Sequence, residues 1–219
     1  MTVTAPTGAP PRFDARFRAE FETLLRWRRD VRRFRTDPLD AGLVEEILRL
    51  ADLSPSVGNS QPWRIVLVES APVRAAVQAS FEAENARAAE AYDSERSALY
   101  ARLKLAGLKE APVQLAIFCD PDPLQGQGLG RATMPATLAH SVAGMVQALW
   151  LAARMLGVGV GWVSILDPQA VQSALDVPPN WQLVAYLCLG YPVEEHIDPE
   201  LEREGWQART PLSTRLLSR

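Results

Sequence analysis

Phe13, Phe17, Phe21, Leu24 and Leu25 recur at the spacing of one helical face, and Asp14 stands where an N-cap would. The pattern predicts that this helix runs on into Arg26-Trp-Arg-Arg-Asp-Val-Arg-Arg-Phe-Arg35, until Asp37-Pro38 breaks it. A second helix is predicted with Asp40 as its cap and Leu43, Val44, Ile47, Leu48 and Ala51 on one face, stopped by Pro55. The loop Ser56-Val-Gly-Asn-Ser-Gln-Pro62 leads into a strand over 63–68. An Ala-, Glu- and Arg-rich stretch over 72–107 has helical composition and reads as two pieces. Residues 113–119 form a continuous apolar run, the mark of a buried strand. A Gly- and Pro-rich loop over 120–135 follows, and loops of that length are usually functional or mobile. Residues 136–156 are apolar nearly all round, so this helix belongs in a core or an interface. A strand over 158–166, a short helix opened by Asp167-Pro168, a strand over 183–189 and a polar tail over 191–219 complete the chain. The order predicts helices packed on a sheet, an α+β sandwich, as a single domain over 13–219 behind a disordered leader over 1–12.

Composition narrows the function classes. The chain has 219 residues, 47% hydrophobic and 22% charged, which is the balance of a globular protein. A net charge of −3 gives no global attraction to nucleic acid or to a membrane. The distribution is uneven, because residues 1–36 hold nine Arg against four Asp and Glu. A local excess of +5 suits a small anion better than a polymer. Cys119 and Cys188 lie in apolar runs and are expected as buried free thiols. His140 and His196 offer no metal-ligand spacing. The N-terminal residues lack the basic and apolar regions of a signal peptide, and 136–156 is interrupted by His140, Gln147 and Arg154. No membrane partner is expected, and the cytoplasm is the expected compartment.

Candidate chemistry concentrates in a few segments. On a helical turn Arg28, Arg29 and Arg32 would converge on one anion, and guanidinium forks match phosphate oxygens. A solvated basic face fits the spacing equally well, with Asp30 as an ion-pair partner. The hydroxyl and amide groups around Ser56 and Asn59 suit the edge of a heteroaromatic ring, or form only a turn. Gly126-Gln-Gly-Leu-Gly130 fails the dinucleotide fingerprint, since Arg131 stands where the third glycine is required. Gly157, Gly159 and Gly161 alternate in a strand, which marks close approach by a flat ligand or by another backbone. Ser164 lacks a nucleophile elbow and a histidine base, so serine hydrolysis is unlikely chemistry for it.

In their order, Arg28-Arg-Asp-Val-Arg32, Ser54-Pro-Ser-Val-Gly-Asn-Ser-Gln-Pro-Trp-Arg64, Lys104-Leu-Ala-Gly-Leu108, Thr133-Met-Pro-Ala-Thr137, Leu149-Trp-Leu-Ala-Ala-Arg154 and Gly159-Val-Gly-Trp-Val-Ser-Ile-Leu-Asp-Pro168 resemble the nitroreductase-like flavoprotein family. The resemblance covers roughly residues 15–212. It implies a mostly antiparallel sheet flanked by helices and an intertwined homodimer with FMN at the interface. Arg28, Arg29 and Arg32, with Asp30 and Val31 between them, would hold the phosphate and ribityl chain, joined by Arg209. Ser56, Val57 and Asn59 would line the ring edge from the partner chain. Gly161 and Ser164 would lie along the ring, and Lys104 or Leu105 would close the pocket.

Ordinary nitroreductases tend to carry Ser at the position of Asp30, so the likeness points to the branch that consumes its flavin. There reduced FMN, supplied by a separate flavin reductase, reacts with dioxygen and is fragmented to a dimethylbenzimidazole and erythrose 4-phosphate. Asp30, among arginines that should keep it ionised, would be the proton acceptor, and Ser164 would hydrogen-bond the flavin. An NAD(P)H-dependent nitroreductase or flavin reductase, towards which Asn59 points, and a non-catalytic flavin-binding protein are the alternatives.

Overall fold

The computed structural model describes residues 9–219, so most of the leader expected over 1–12 lies outside the described residues. Four strands form one antiparallel sheet in the order β1-β2-β4-β3: β1 Trp63–Leu67, β2 Val113–Cys119, β3 Gly159–Val163 and β4 Gln182–Gly190. Strand alternation explains why β2 and β4 read as unbroken apolar runs. Leu115, Ile117 and Cys119, with Ala185, Leu187 and Leu189, face one core, whereas Ala116, Phe118, Tyr186 and Cys188 face the other. Gln114 is fully buried in the centre, and both ends of its amide are satisfied. Its Nε2 donates to the Leu108 carbonyl at 2.7 Å and its Oε1 accepts from the Tyr186 hydroxyl at 2.7 Å.

The first face is covered by α2 (Leu43–Ala51) and α5 (Thr137–Met155). The second is covered by α3 (Ala71–Glu90) and α6 (Pro168–Ala174), with α4 (Ser94–Tyr100) beyond α3. α5 buries a broad face from Leu138 to Ala153, but His140, Gly144, Gln147 and Met155 form an exposed stripe. The all-round burial expected of it holds only in part.

α1 (Ala15–Trp27) begins as predicted, with the Asp14 carboxylate accepting the Phe17 N–H at 2.8 Å. Its apolar face is uncovered: Phe13, Phe17 and Phe21 stack on one another at 4.5 and 6.3 Å while all three stay exposed. Other expectations need correction. α1 stops at Trp27 and does not continue through residues 28–35 of the arginine run. α2 is capped by Gly42 at φ 83°, not by Asp40, whose carbonyl accepts the Leu43 N–H. The tail is more ordered than its polarity suggested. It forms α7 (Glu200–Arg203) and seats Trp206 against Tyr92 and Tyr100, with ring centroids at 5.3 and 6.1 Å. Cys119 and Cys188 are buried free thiols. Among the described residues no helix is long and apolar enough to cross a membrane.

Candidate flavin site

Residues 28–35 leave α1 and run extended along the free edge of β3. Val31 N–H donates to the Val160 carbonyl at 2.9 Å, and on the other side Val193 N–H donates to the Arg33 carbonyl at 3.1 Å. The convergence of arginines on a helical turn is therefore overturned. The edge of β3 offers unpaired backbone groups, and satisfying them outweighs the helical preference of an Arg-rich run. The glycines of β3 make this approach possible. A β-carbon on Gly161 would lie 2.1 Å from the Val31 carbonyl oxygen, and one on Gly159 would lie 2.9 Å from a Val31 methyl. The alternating glycines thus admit the chain's own backbone.

Asp30 sits at the centre of this arrangement. Its Oδ1 accepts the Trp162 backbone N–H at 2.9 Å, and its Oδ2 accepts from Arg32 Nε at 2.9 Å. About a third of the side chain stays accessible. Burial pushes this carboxyl above its ordinary range, although Arg32 and the Trp162 N–H pull the other way and Glu200 adds to the rise. The pull of Arg32 thus only partly offsets the effect of burial. Ser164 lies exposed just beyond β3, two residues after Trp162, about 6–7 Å further along the strand direction.

The arginines divide into two sets. Arg32 is committed to protein: besides Asp30 it donates from Nη1 to the Lys104 carbonyl at 3.1 Å. Arg33 pairs with Glu200 at 2.8 Å and with Glu194 at 3.3 Å. Among the described residues Arg28, Arg29 and Arg209 form no ion pair with a carboxylate. Burial lowers the pKa of Arg28 and of Arg29, and the charge of Arg209 lowers both further. Arg28 is fixed over the Trp150 ring at 4.9 Å, while Trp150 Nε1 donates to the Arg29 carbonyl at 3.1 Å. Arg29 donates from Nε and Nη2 to the Ile197 carbonyl and from Nη1 to the Arg28 carbonyl at 2.8 Å, so its donors serve backbone while its charge has no carboxylate among the described residues within ion-pair distance. Asp30 acts on Arg28 and Asp198 on Arg29 only from beyond ion-pair distance, so the three cations are partly offset and the arrangement is suited to a multiply charged anion.

The other predicted residues lie elsewhere. Ser56, Val57 and Asn59 occupy a tight loop that docks on the other end of α5, where Val57 N–H donates to Ser141 Oγ at 3.0 Å. Ser141 and Trp150 are nine helical steps apart, about 13–14 Å along the axis, so this loop and Arg28 mark opposite ends of one rod. The loop is held down by 125–130. Gln125 Nε2 donates to the Asn59 carbonyl at 2.6 Å, and Gly130 leaves room for a Val57 methyl. The Lys104 ammonium pairs with Glu110 at 2.5 Å, so Lys104 meets the site through its carbonyl alone. Leu105 borders a separate hollow with Phe81 and Leu108. Burial raises the thiol of Cys188 to about 12 and that of Cys119 to about 11, which leaves both unreactive. Sequence reasoning missed Trp150, although it stands inside a quoted motif, and it missed Glu200, for which the sequence offers no signal.

A helix-flanked antiparallel sheet with an anion receptor at one edge defines a class, and comparison with known proteins specifies it. The family model described as "Nitroreductase family" matches residues 25–191. The chain belongs to the nitroreductase family. It is 57% identical over 201 residues to a 5,6-dimethylbenzimidazole synthase of Rhodospirillum rubrum, covering 92% of this chain and 95% of that protein. A protein of the same name from Rhodobacter capsulatus is 48% identical over 199 residues, covering 91% and 96%. Among solved structures, oxidized iodotyrosine deiodinase bound to FMN and 3-iodo-L-tyrosine has the same fold. Its TM-score is 0.67 at 24% identity, covering 80% of this chain and 91% of that one.

Proposed function

We propose that this protein is a 5,6-dimethylbenzimidazole synthase, converting reduced FMN and dioxygen to 5,6-dimethylbenzimidazole and erythrose 4-phosphate, with the remaining four ring carbons and two nitrogens leaving as an oxygenated pyrimidine fragment. The observation that carries the reading is the 57% identity, sustained over nearly the whole of both chains, to a relative of that name. The site supports it independently. Arg28, Arg29 and Arg209 suit a phosphate, and Asp30 stands beside them as a carboxyl that burial raises above its ordinary range, which makes it a better proton acceptor when ionised.

Reduced FMN, when bound, supplies the electrons for dioxygen and the carbon framework of both products. The three unpaired arginines hold its phosphate. Asp30 accepts a proton from a ribityl hydroxyl, and the Trp162 N–H fixes the carboxylate for that role. Ser164, exposed just beyond β3, would hydrogen-bond the ring, and Gly161 would lie along it. Ser56, Val57 and Asn59 reach the ring edge from the partner of a homodimer, since within one chain α5 separates them from Arg28. A separate reductase supplies the reduced flavin. The unit is one domain over 13–219. Its place is the cytoplasm, in keeping with two buried free thiols.

The test is the fate of the flavin. Purified protein given chemically reduced FMN in air should bleach it, and mass spectrometry should find both products. Quantitative return of yellow FMN would instead identify a recycling nitroreductase.

A further inference from the structure

The division of the arginines has a cause outside their own segment. Glu200 opens α7 in the tail, and its side chain is only 11% exposed. One oxygen, Oε1, lies 2.8 Å from Arg33 Nη1, and the other, Oε2, lies 4.0 Å from Arg32 Nη1. The Arg32 side chain is equally enclosed, at 11% exposed; its Nε donates to Asp30, and the same Nη1 that faces Glu200 donates to the Lys104 carbonyl. A carboxylate buried between two guanidiniums offsets charge that would otherwise join the phosphate receptor.

We propose that Glu200 is a positioning residue for the reaction: it holds Arg33 away from the phosphate and stands as a second carboxylate beside the Arg32–Asp30 pair. The proposal rests on the synthase reading, and it divides labour among Arg28, Arg29, Arg32 and Arg33, of which the sequence marked the first three alike. Arg28 and Arg29 bind, whereas Arg32 and Arg33 brace. The groups facing Asp30 are Arg28 and Arg32 of its own segment, the Trp162 N–H of β3, Cys188 of β4 and Glu200 of α7. Glu200 is the anionic member of that set. Its removal takes away a like charge and leaves Asp30 easier to ionise.

Three readouts on Glu200→Gln separate positioning from a merely structural role. In flavin-free protein, the side-chain carboxyl resonance of Asp30 followed by NMR should titrate at lower pH than in the parent. The acid limb of the pH–rate profile should move the same way, with kcat down by about tenfold, the scale on which outer partners of reacting groups act. The ratio of FMN to riboflavin affinity should not fall. Glu200→Asp should return the titration midpoint part of the way to the parent value. An unmoved Asp30 midpoint would overturn the proposal, and so would a fall in the affinity ratio like that of Arg28→Ala. If Glu200→Gln does not fold, Arg32→Lys replaces it, keeping the charge but removing the Nε bond to Asp30. That variant should lose turnover at an unchanged affinity ratio, and a lower ratio would place Arg32 on the phosphate. Were the parent to return intact flavin, the synthase reading would fail, while the NMR titration would still decide whether Glu200 governs Asp30.

Discussion

The carbonyl oxygen of Val31 occupies the place where residue 161 would carry a β-carbon, 2.1 Å from it, so the arginine segment can lie against β3 only because residue 161 is glycine. This contact sets the height of Asp30 above the sheet. It also fixes the distance from which the carboxylate takes the Trp162 N–H.

Gly161→Ala should therefore injure the site through the backbone. Overpacking typically costs about 1–3 kcal/mol, and here the obstacle is a carbonyl rather than a flexible side chain. Thermal melting should show a clear loss of stability, accompanied by weaker FMN binding. An alanine variant with parent stability and affinity would mean that the segment docks elsewhere in solution.

Arg28→Ala and Arg209→Ala should each weaken FMN by about 1.5–3 kcal/mol, the scale of a hydrogen bond to a charged group. Riboflavin, which lacks the phosphate, should bind parent and variants alike. Titration calorimetry with both ligands measures the contrast, and equal losses for the two would remove the phosphate from the receptor.

Trp150→Leu keeps an apolar side chain in the core at a cost in volume, and it loses the stacking surface of Arg28 and the bond to the Arg29 carbonyl. The cation–π contact is worth about 0.5–2 kcal/mol. FMN affinity should fall by roughly that amount, again with little change for riboflavin.

Asp30→Asn should abolish product while FMN still binds, since a positioned proton acceptor contributes about 10²–10⁴-fold in rate. Its stability should also depend on pH in a defined direction. The carboxyl is raised above 3.8 in the folded protein, so between those two values the native state holds more protons than the unfolded chain. The parent then loses stability, relative to the Asn variant, as pH rises from about 4 through the raised value. Melting temperatures of both proteins across that range check the sign. A gap that widens in favour of the parent with rising pH would mean that Arg32 and Trp162 outweigh burial.

Much of the framework was readable from local pattern. The apolar run 113–119 became β2 without a change of boundary, and Asp14 and Asp167 cap the helices their positions announced. The arginine run was misread because its conformation is decided by a partner more than a hundred residues away. Nothing near Val31 reveals that Gly159 and Gly161 leave a groove for it. For the same reason the motif exposed Asp30 and the arginines as candidates but not their division, which depends on Glu200 in a tail without periodicity.

The tail's return to the first helix also bears on the order of assembly. Arg28 and Arg29 are among the first charged residues of the described chain after α1, whereas Glu200 and Arg209 come near its end. Joining them is a long-range event, and such contacts form late because loop closure precedes their reward. Flavin should accordingly associate only with chains that have finished folding. In refolding from denaturant, secondary structure should recover before flavin is captured, and FMN should leave the early rate unchanged while slowing unfolding.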